Sequence, residues 1–405
     1  MLRFLLPVII LGVMVTSLEG RARAADPVGH YVFVWVGDPE RAGRNFIAVI
    51  DADPGSPDYG SLVTSVATDI KSVNAHHTEY EMPASGMLFA NDHDANATAI
   101  VDLTNPLEPR QVASFTSLGG FSMPHSFARL PNGNVLATFQ YEDEGGAMSM
   151  GSTTGGLVEI DDRGKLVRSV SNADPAFAGE ELLPYGLAVL PRIDRVIVTN
   201  SPMGDDFLLT SNTYQLFRLS DLTLLGTWRL DPGPRLNGHI SPEEPRVGPD
   251  GAVYIHTLSC GVQRVTGMDS EKPRAQLVYQ YPGSWCGVPT IAGRYMVQSV
   301  PDIHAFIVLD ISNGEQPVEV SRLVMNEGFS PHWTGWDPIS RRLVVTPGEK
   351  GQRMYLLLLD ETTGALAIDE NFRGQDGEVG FSFARQSWPH GWTGEGAPHG
   401  AVFSR

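Results

Sequence analysis

Apolar residues in this chain recur in short paired runs, five to eight positions each, with almost no helical period. In order the pairs are YVFVWVG with NFIAVID, MLFAND with ATAIVDLT, NVLATFQ with GGLVEID, and RVIVTNS with YQLFRLS. AVYIHT with CGVQRV, RYMVQSV with HAFIVLDIS, and RLVVTP with MYLLLLDE complete a set of seven. Each run alternates or is apolar throughout, is rich in Val, Ile and aromatics, and ends in Asn-Gly, Asp-Gly or similar turn residues, which marks strands. Their spacing, roughly 45 to 60 residues, is near the period of propeller blades.

A third element precedes every pair except the first, as HHTEYEMPASG, MPHSFARLPNG, LPYGLAVLPRID, SPEEPRVGPDG, CGVPTIAG and SPHWTGWDPIS. The missing one stands at the other end of the chain, in APHGAVFSR. The pattern therefore predicts an all-β, seven-bladed β-propeller whose innermost strands are these third elements. The C-terminal strand joins the N-terminal pair in one blade, a closure that removes free sheet edges.

Gly (43) and Pro (29) are spread evenly between the runs, so no linker divides the chain, and residues 25–405 read as one domain. The first 24 residues combine a basic start, an apolar run from Phe4 to Val15 and small residues ending in Ala22-Arg23-Ala24, the form of a secretory signal peptide. The expected location is periplasmic or secreted, and no later run approaches the length of a membrane span. A formal charge of -18 argues against a nucleic-acid partner. In an oxidising compartment Cys260 and Cys286 either bridge neighbouring blades or remain two separately buried thiols.

Inner strands line a propeller's channel, so their first residues converge although they are far apart in sequence. Those positions carry His76, His77, His125, Tyr185, Glu244, His332 and His399, including five of the eleven histidines. Neutral imidazole is a favoured ligand for copper, zinc, iron and nickel, which makes a transition-metal site the economical reading. The alternative is a set of histidines that only hydrogen-bond around a water-filled channel. Glu244 and Tyr185 are candidate catalytic proton handlers, set against an ion pair of Glu244 with Arg246 and plain packing of Tyr185. Asn91-Asp92-His93-Asp94 has the look of a calcium turn but lacks its glycine and distal glutamate, and reads as a solvated turn. His256 and His304 read as structural, and His390 is a candidate for a group behind the ligands or at the rim.

With these residues in view, the chain resembles the selenium-binding protein family, which includes bacterial copper-dependent methanethiol oxidases. The resemblance begins at FIAVIDADPGSPDYGSLVTSV and HHTEYE. It continues in order through AIVDLTNPLEPRQV, PHSFARLPNGNVLATFQ, GGLVEIDDRGKLV, LSCGVQRV, HAFIVLDISN and APHGAVFS. It implies a mononuclear copper centre with His76, His77, His125 and His399 as ligands, and the affinity order of divalent metals separately favours copper over zinc. Gly60 stands where animal members have a selenium-associated cysteine, Ala128 replaces the second histidine of a Pro-His-x-x-His element, and His332 occupies a position that is usually another polar residue.

The function implied is oxidation of a small thiol such as methanethiol to formaldehyde, hydrogen sulfide and hydrogen peroxide, with dioxygen as acceptor. The alternative is a non-enzymatic periplasmic propeller that binds copper or a sulfur or selenium compound. A lactonase-type hydrolytic propeller ranks behind both, since it needs carboxylate and asparagine ligands for calcium. Protein partners are not legible.

Overall fold

Each of the seven apolar pairs forms the two middle strands of an antiparallel sheet, and the seven sheets stand in a ring as the blades of a propeller. The computed structural model describes residues 29–143, 152–203, 211–233, 240–270, 272–348, 353–385 and 387–405. The expected signal peptide, residues 1–24, lies outside them. The inner strands of blades two to seven are Ala75–Thr78, Phe121–Arg129, Pro184–Leu190, Pro242–Val247, Thr290–Ala292 and Pro331–Asp337. Among the described residues no helix is long and apolar enough to cross a membrane.

The middle strands are apolar on both faces because both faces are buried. Tyr31–Gly37 and Ala97–Asp102 show no exposed residue, whereas the outermost Arg110–Phe115 alternates between exposed and half-buried. Seven apolar clusters fill the seven gaps between neighbouring blades. One wedge of core per gap is what fixes each blade beside the next, since burial of apolar area is the main stabilising term.

The ring closes as the sequence implies. Ala397–Phe403 pairs antiparallel with Tyr31–Gly37, with Val32 opposite Phe403 and Val36 opposite Pro398. The Trp333 indole of blade seven donates to the Ala401 carbonyl across the seam at 2.9 Å. His30 Nε2 meets Asp337 at 2.7 Å, and Ser404 Oγ lies 3.2 Å from His30 Nδ1. Cys260 and Cys286 are joined in a disulfide within the apolar wedge between blades five and six.

One irregularity repeats around the ring. Six of the seven inner strands slip register at the same level, at Ala75/Thr78, Pro124/Phe127, Pro184/Leu187, Pro242/Pro245, Pro331/Trp333 and opposite Val34/Val36. In five of these the bulge begins at a proline followed by the channel residue, as Pro124-His125, Pro184-Tyr185, Pro242-Glu243, Pro331-His332 and Pro398-His399. Proline has no N–H for a ladder and belongs at strand starts and bulges. In blade six the strand begins only at Thr290, and Gly287 occupies the corresponding place against Ser299 and His332.

Candidate metal centre

A regular strand sends successive side chains to opposite faces, whereas a bulge re-aims them. Ala75–Thr78 uses its bulge to place two consecutive imidazoles on one side: the His76 and His77 rings stack with centroids 4.0 Å apart and 11° between planes. Across the bulges of blades two and three, the His125 ring lies 4.9 Å from His76 and 4.7 Å from His77. Gly400 lets the first blade approach closely, because a Cβ there would stand 2.6 Å from the Thr78 nitrogen. His399 consequently reaches 4.6 Å from His76 and 5.6 Å from His77, and His332 lies 4.7 Å beyond His399.

The level is thus divided in two. Blades seven, one, two and three supply an arc of imidazoles, His332, His399, His76 with His77, and His125. Blades four and five supply Tyr185 and the pair Glu243 and Glu244, and blade six supplies only Gly287. Among the described residues, His76, His77 and His125 are the group whose ligand atoms all lie within 4.8 Å of one another. His399 and His332 stand next along the arc, outside that group.

Each imidazole keeps one ring nitrogen buried and, among the described residues, without a hydrogen-bond partner: His76 Nδ1, His77 Nε2, His125 Nε2, His332 Nδ1 and His399 Nδ1. Burial is the main reason that all five rings are held neutral, and neighbouring imidazoles add to it. His76, His77, His125 and His399 are pushed well below the usual histidine range and His332 down to about 4.

The opposite nitrogens are oriented. His125 Nδ1 donates to the Tyr185 carbonyl at 3.0 Å, which leaves its Nε2 lone pair facing the cluster. His77 Nδ1 faces Glu244 Oε1 at 3.4 Å, and the Ser126 hydroxyl donates to that same oxygen at 2.6 Å. A carboxylate behind a ligating histidine is the common outer partner of metal sites. Glu244 also sits 3.6 Å from Arg246, so the expected ion pair is present as well. The Arg246 guanidinium lies 3.6 Å over the Tyr80 ring, and Tyr80 stacks on Trp333 beside His77, forming an aromatic wall.

Tyr185 packs its ring 3.8 Å from His125, and burial together with Glu243 and Glu244 holds its phenol protonated. Three functional neighbours were not legible beforehand. Ser126 links His125, His77 and Glu244. Glu243 is raised well above the usual carboxylate range, by burial and then by Glu244, and bonds His256 Nε2 at 3.0 Å. Asn91 accepts from the His77 amide at 2.7 Å and donates to the Pro124 and His125 carbonyls, tying the two bulges together. A buried asparagine inside an apolar strand was the available signal for the last of these.

The remaining histidines fall elsewhere. The Asn91 to Asp94 turn is neither a calcium loop nor solvated: Asn91, Asp92 and His93 are buried, and the Asp92 carboxylate accepts from Asn45, Val73, Asn74 and Ala95. Burial of this turn follows from its place between blades, which the local sequence does not encode. His93 commits both ring nitrogens, to Asp94 and Gln140 at 2.9 Å each, and His256 bonds Glu243 and the Glu244 carbonyl. His304 caps a turn and meets the Phe329 carbonyl. His390 packs on Phe46 and bonds Ser65 in the first blade.

A scan against protein-family models finds no match, and neither does a search among curated proteins. Among solved structures the chain is similar to a hypothetical selenium-binding protein from Sulfolobus tokodaii, at 15% identity and a TM-score of 0.71, over 93% of this chain and 94% of that one. It is also similar to the periplasmic gluconolactonase of Pseudomonas aeruginosa, at 12% identity and a TM-score of 0.63, over 93% and 99% respectively. At these identities the likeness is one of fold, and a fold does not fix the chemistry it carries.

Proposed function

We propose that the imidazole arc holds copper and that the loaded protein oxidises a small thiol with dioxygen. The observation that carries the metal reading is the trio of His76, His77 and His125, whose ligand atoms converge within 4.8 Å while each ring keeps a buried nitrogen without a partner. A buried polar atom left unpaired costs about 1 to 3 kcal/mol, and a metal ion shared by three such nitrogens would satisfy them together. The donor set fits copper or zinc rather than calcium, which takes six to eight oxygens. Glu243 and Glu244, the carboxylates at this level, are engaged with His256 and with Ser126. That engagement disfavours the hydrolytic reading.

Bound copper would supply one-electron exchange with dioxygen and a soft position for sulfur. The chain does the rest. The Tyr185 carbonyl and Glu244 fix the tautomers of His125 and His77, Tyr80 and Trp333 keep water from one side of His77, and burial admits only a small ligand. The Tyr185 phenol holds a proton beside His125, and the Glu243 and His256 pair holds another near it. The selenium-binding neighbour supports a sulfur or selenium compound as the ligand class.

Elemental analysis of protein taken from its native compartment, combined with oxygen uptake and peroxide release on adding methanethiol, tests both levels. One or more tightly held copper ions with turnover supports the oxidase. Bound copper without oxygen uptake replaces it with a metal-carrying function, and absence of any transition metal removes the metal reading.

A further inference from the structure

The residues that follow the first channel positions of blades two, three and five are His77, Ser126 and Glu244, and they meet behind the ligands. Ser126 Oγ lies 3.0 Å from His125 Nδ1, 3.4 Å from His77 Nδ1 and 2.6 Å from Glu244 Oε1, and all four side chains are buried. The contact joins blades three and five across blade four, where the corresponding residue is Gly186. A Cβ there would stand 2.7 Å from Pro245 Cδ, 2.8 Å from the Glu243 carbonyl oxygen and 3.0 Å from Glu244 Cα. A glycine inside a strand marks such a close approach of another backbone. Blade five therefore packs tightly on blade four, and Glu244 reaches past it to Ser126.

The distances set the order of action. Glu244 Oε1 is 3.9 Å from His125 Nδ1, beyond hydrogen-bond reach, and its 3.4 Å to His77 Nδ1 is long. Ser126 stands between the carboxylate and both rings. A hydroxyl has one proton to give and lone pairs with which to accept. Its proton goes to Glu244, so toward the imidazoles Ser126 can only accept, and a neutral ring that meets it carries its proton on Nδ1. Nε2 is then bare, and Nε2 is the nitrogen that His77 and His125 each leave without a partner. His76, outside this set of bonds, leaves Nδ1 instead.

We propose that Ser126 is a positioning residue of the centre: its hydroxyl carries the pull of Glu244 to His77 and His125 together and turns the Nε2 lone pair of each toward the ion. The Tyr185 carbonyl assists at His125. A chain of hydrogen bonds polarises along its length, so the carboxylate strengthens both imidazoles as donors although it bonds neither closely. That these nitrogens are ligands rests on the metal reading above; the proton positions do not.

Two measurements on the full-length protein test this. Nitrogen NMR of the metal-free chain labelled in histidine, with His77→Gln and His125→Gln to assign the signals, should show both rings as the Nδ1–H tautomer. Either ring protonated on Nε2 alone overturns the proposal. Zinc affinity, read by chelator competition, should fall about 10- to 100-fold in Ser126→Ala and stay within about threefold of wild type in Ser126→Thr, which keeps the hydroxyl. Glu244→Gln should cost clearly less in the Ser126→Ala background than in the wild type. Equal losses in the two backgrounds overturn the proposal, because the carboxylate would then act without the hydroxyl. Unchanged affinity in a Ser126→Ala variant that circular dichroism shows to be folded overturns it too. A wild type that binds neither zinc nor copper(I), with both rings as Nδ1–H, removes the metal reading and leaves the proton assignment by Ser126 standing.

Discussion

Glu244→Gln isolates what the carboxylate behind the histidines does. Glu244 is fully buried, accepts the Ser126 hydroxyl at 2.6 Å, and stands 3.4 Å from His77 Nδ1 and 3.9 Å from His125 Nδ1. A glutamine keeps the shape and the bond from Ser126 but removes the negative charge that makes both imidazoles better donors. Loss of such an outer partner typically lowers metal affinity 10- to 100-fold, which is about 1.4 to 2.7 kcal/mol. The same change leaves Arg246 without its carboxylate, although Arg246 still donates to the Pro289 and Pro245 carbonyls and rests on Tyr80. Since these contacts remain, the loss of stability should stay at roughly 1 to 3 kcal/mol, less than for a fully stranded buried charge. Competition with a chromophoric zinc chelator gives the affinity, and urea denaturation of metal-free protein gives the stability. An affinity unchanged within twofold in a folded variant would show that Glu244 has no part in the site and that its contact with His77 is incidental.

The pH response of the metal-free protein has a defined sign. His76, His77, His125, His399 and His332 are neutral when folded and take up protons on unfolding below about pH 6.5, so stability falls as pH drops through and below that value. Glu243, whose folded pKa is raised, acts oppositely and costs stability as pH rises above the usual carboxylate range. Urea midpoints at pH 7, 6 and 5 that do not change would contradict the buried neutral cluster. Replacing both Cys260 and Cys286 with alanine should cost about 3 to 4 kcal/mol, the closure entropy for a separation of 26 residues, read as a lower urea midpoint with a slope that rises as the denatured chain expands. Gly400→Ala should push the first blade away from Thr78 and move His399 from His76, with metal affinity falling more than tenfold while the circular dichroism spectrum stays that of the wild type.

The fold was largely readable because the middle strands are buried on both faces and therefore apolar without interruption. Runs such as YVFVWVG announce themselves. Outer strands such as Val318–Val324 alternate exposed and half-buried positions on the rim, and nothing in the sequence separates them from loop. The histidines were readable through position alone, since most stand directly after a proline at the start of an inner strand, as in Pro124-His125, Pro331-His332 and Pro398-His399. Their grouping was not. How near His399 stands to the trio depends on the close approach at Gly400, which is a distance between blades. Ser126 was invisible for the same reason, since it acts on His77 and Glu244 of other blades, whereas the polar Asn91 inside an apolar strand was a local signal.

Five buried ring nitrogens in one channel have no hydrogen-bond partner among the described residues. A ligand that binds them only in the folded arrangement adds its binding free energy to the stability of the fold. At a free metal concentration a thousandfold above its dissociation constant, binding adds about 4 kcal/mol of stability, which for a chain of this size raises the melting temperature by roughly 5 to 10 °C. The gain should be present in the wild type and reduced in His77→Ala, and it should shrink as protons compete for the same nitrogens below pH 6. Identical melting curves with and without copper or zinc would mean that the channel bears its unpaired nitrogens for some other purpose, and the proposed chemistry would lose its foundation.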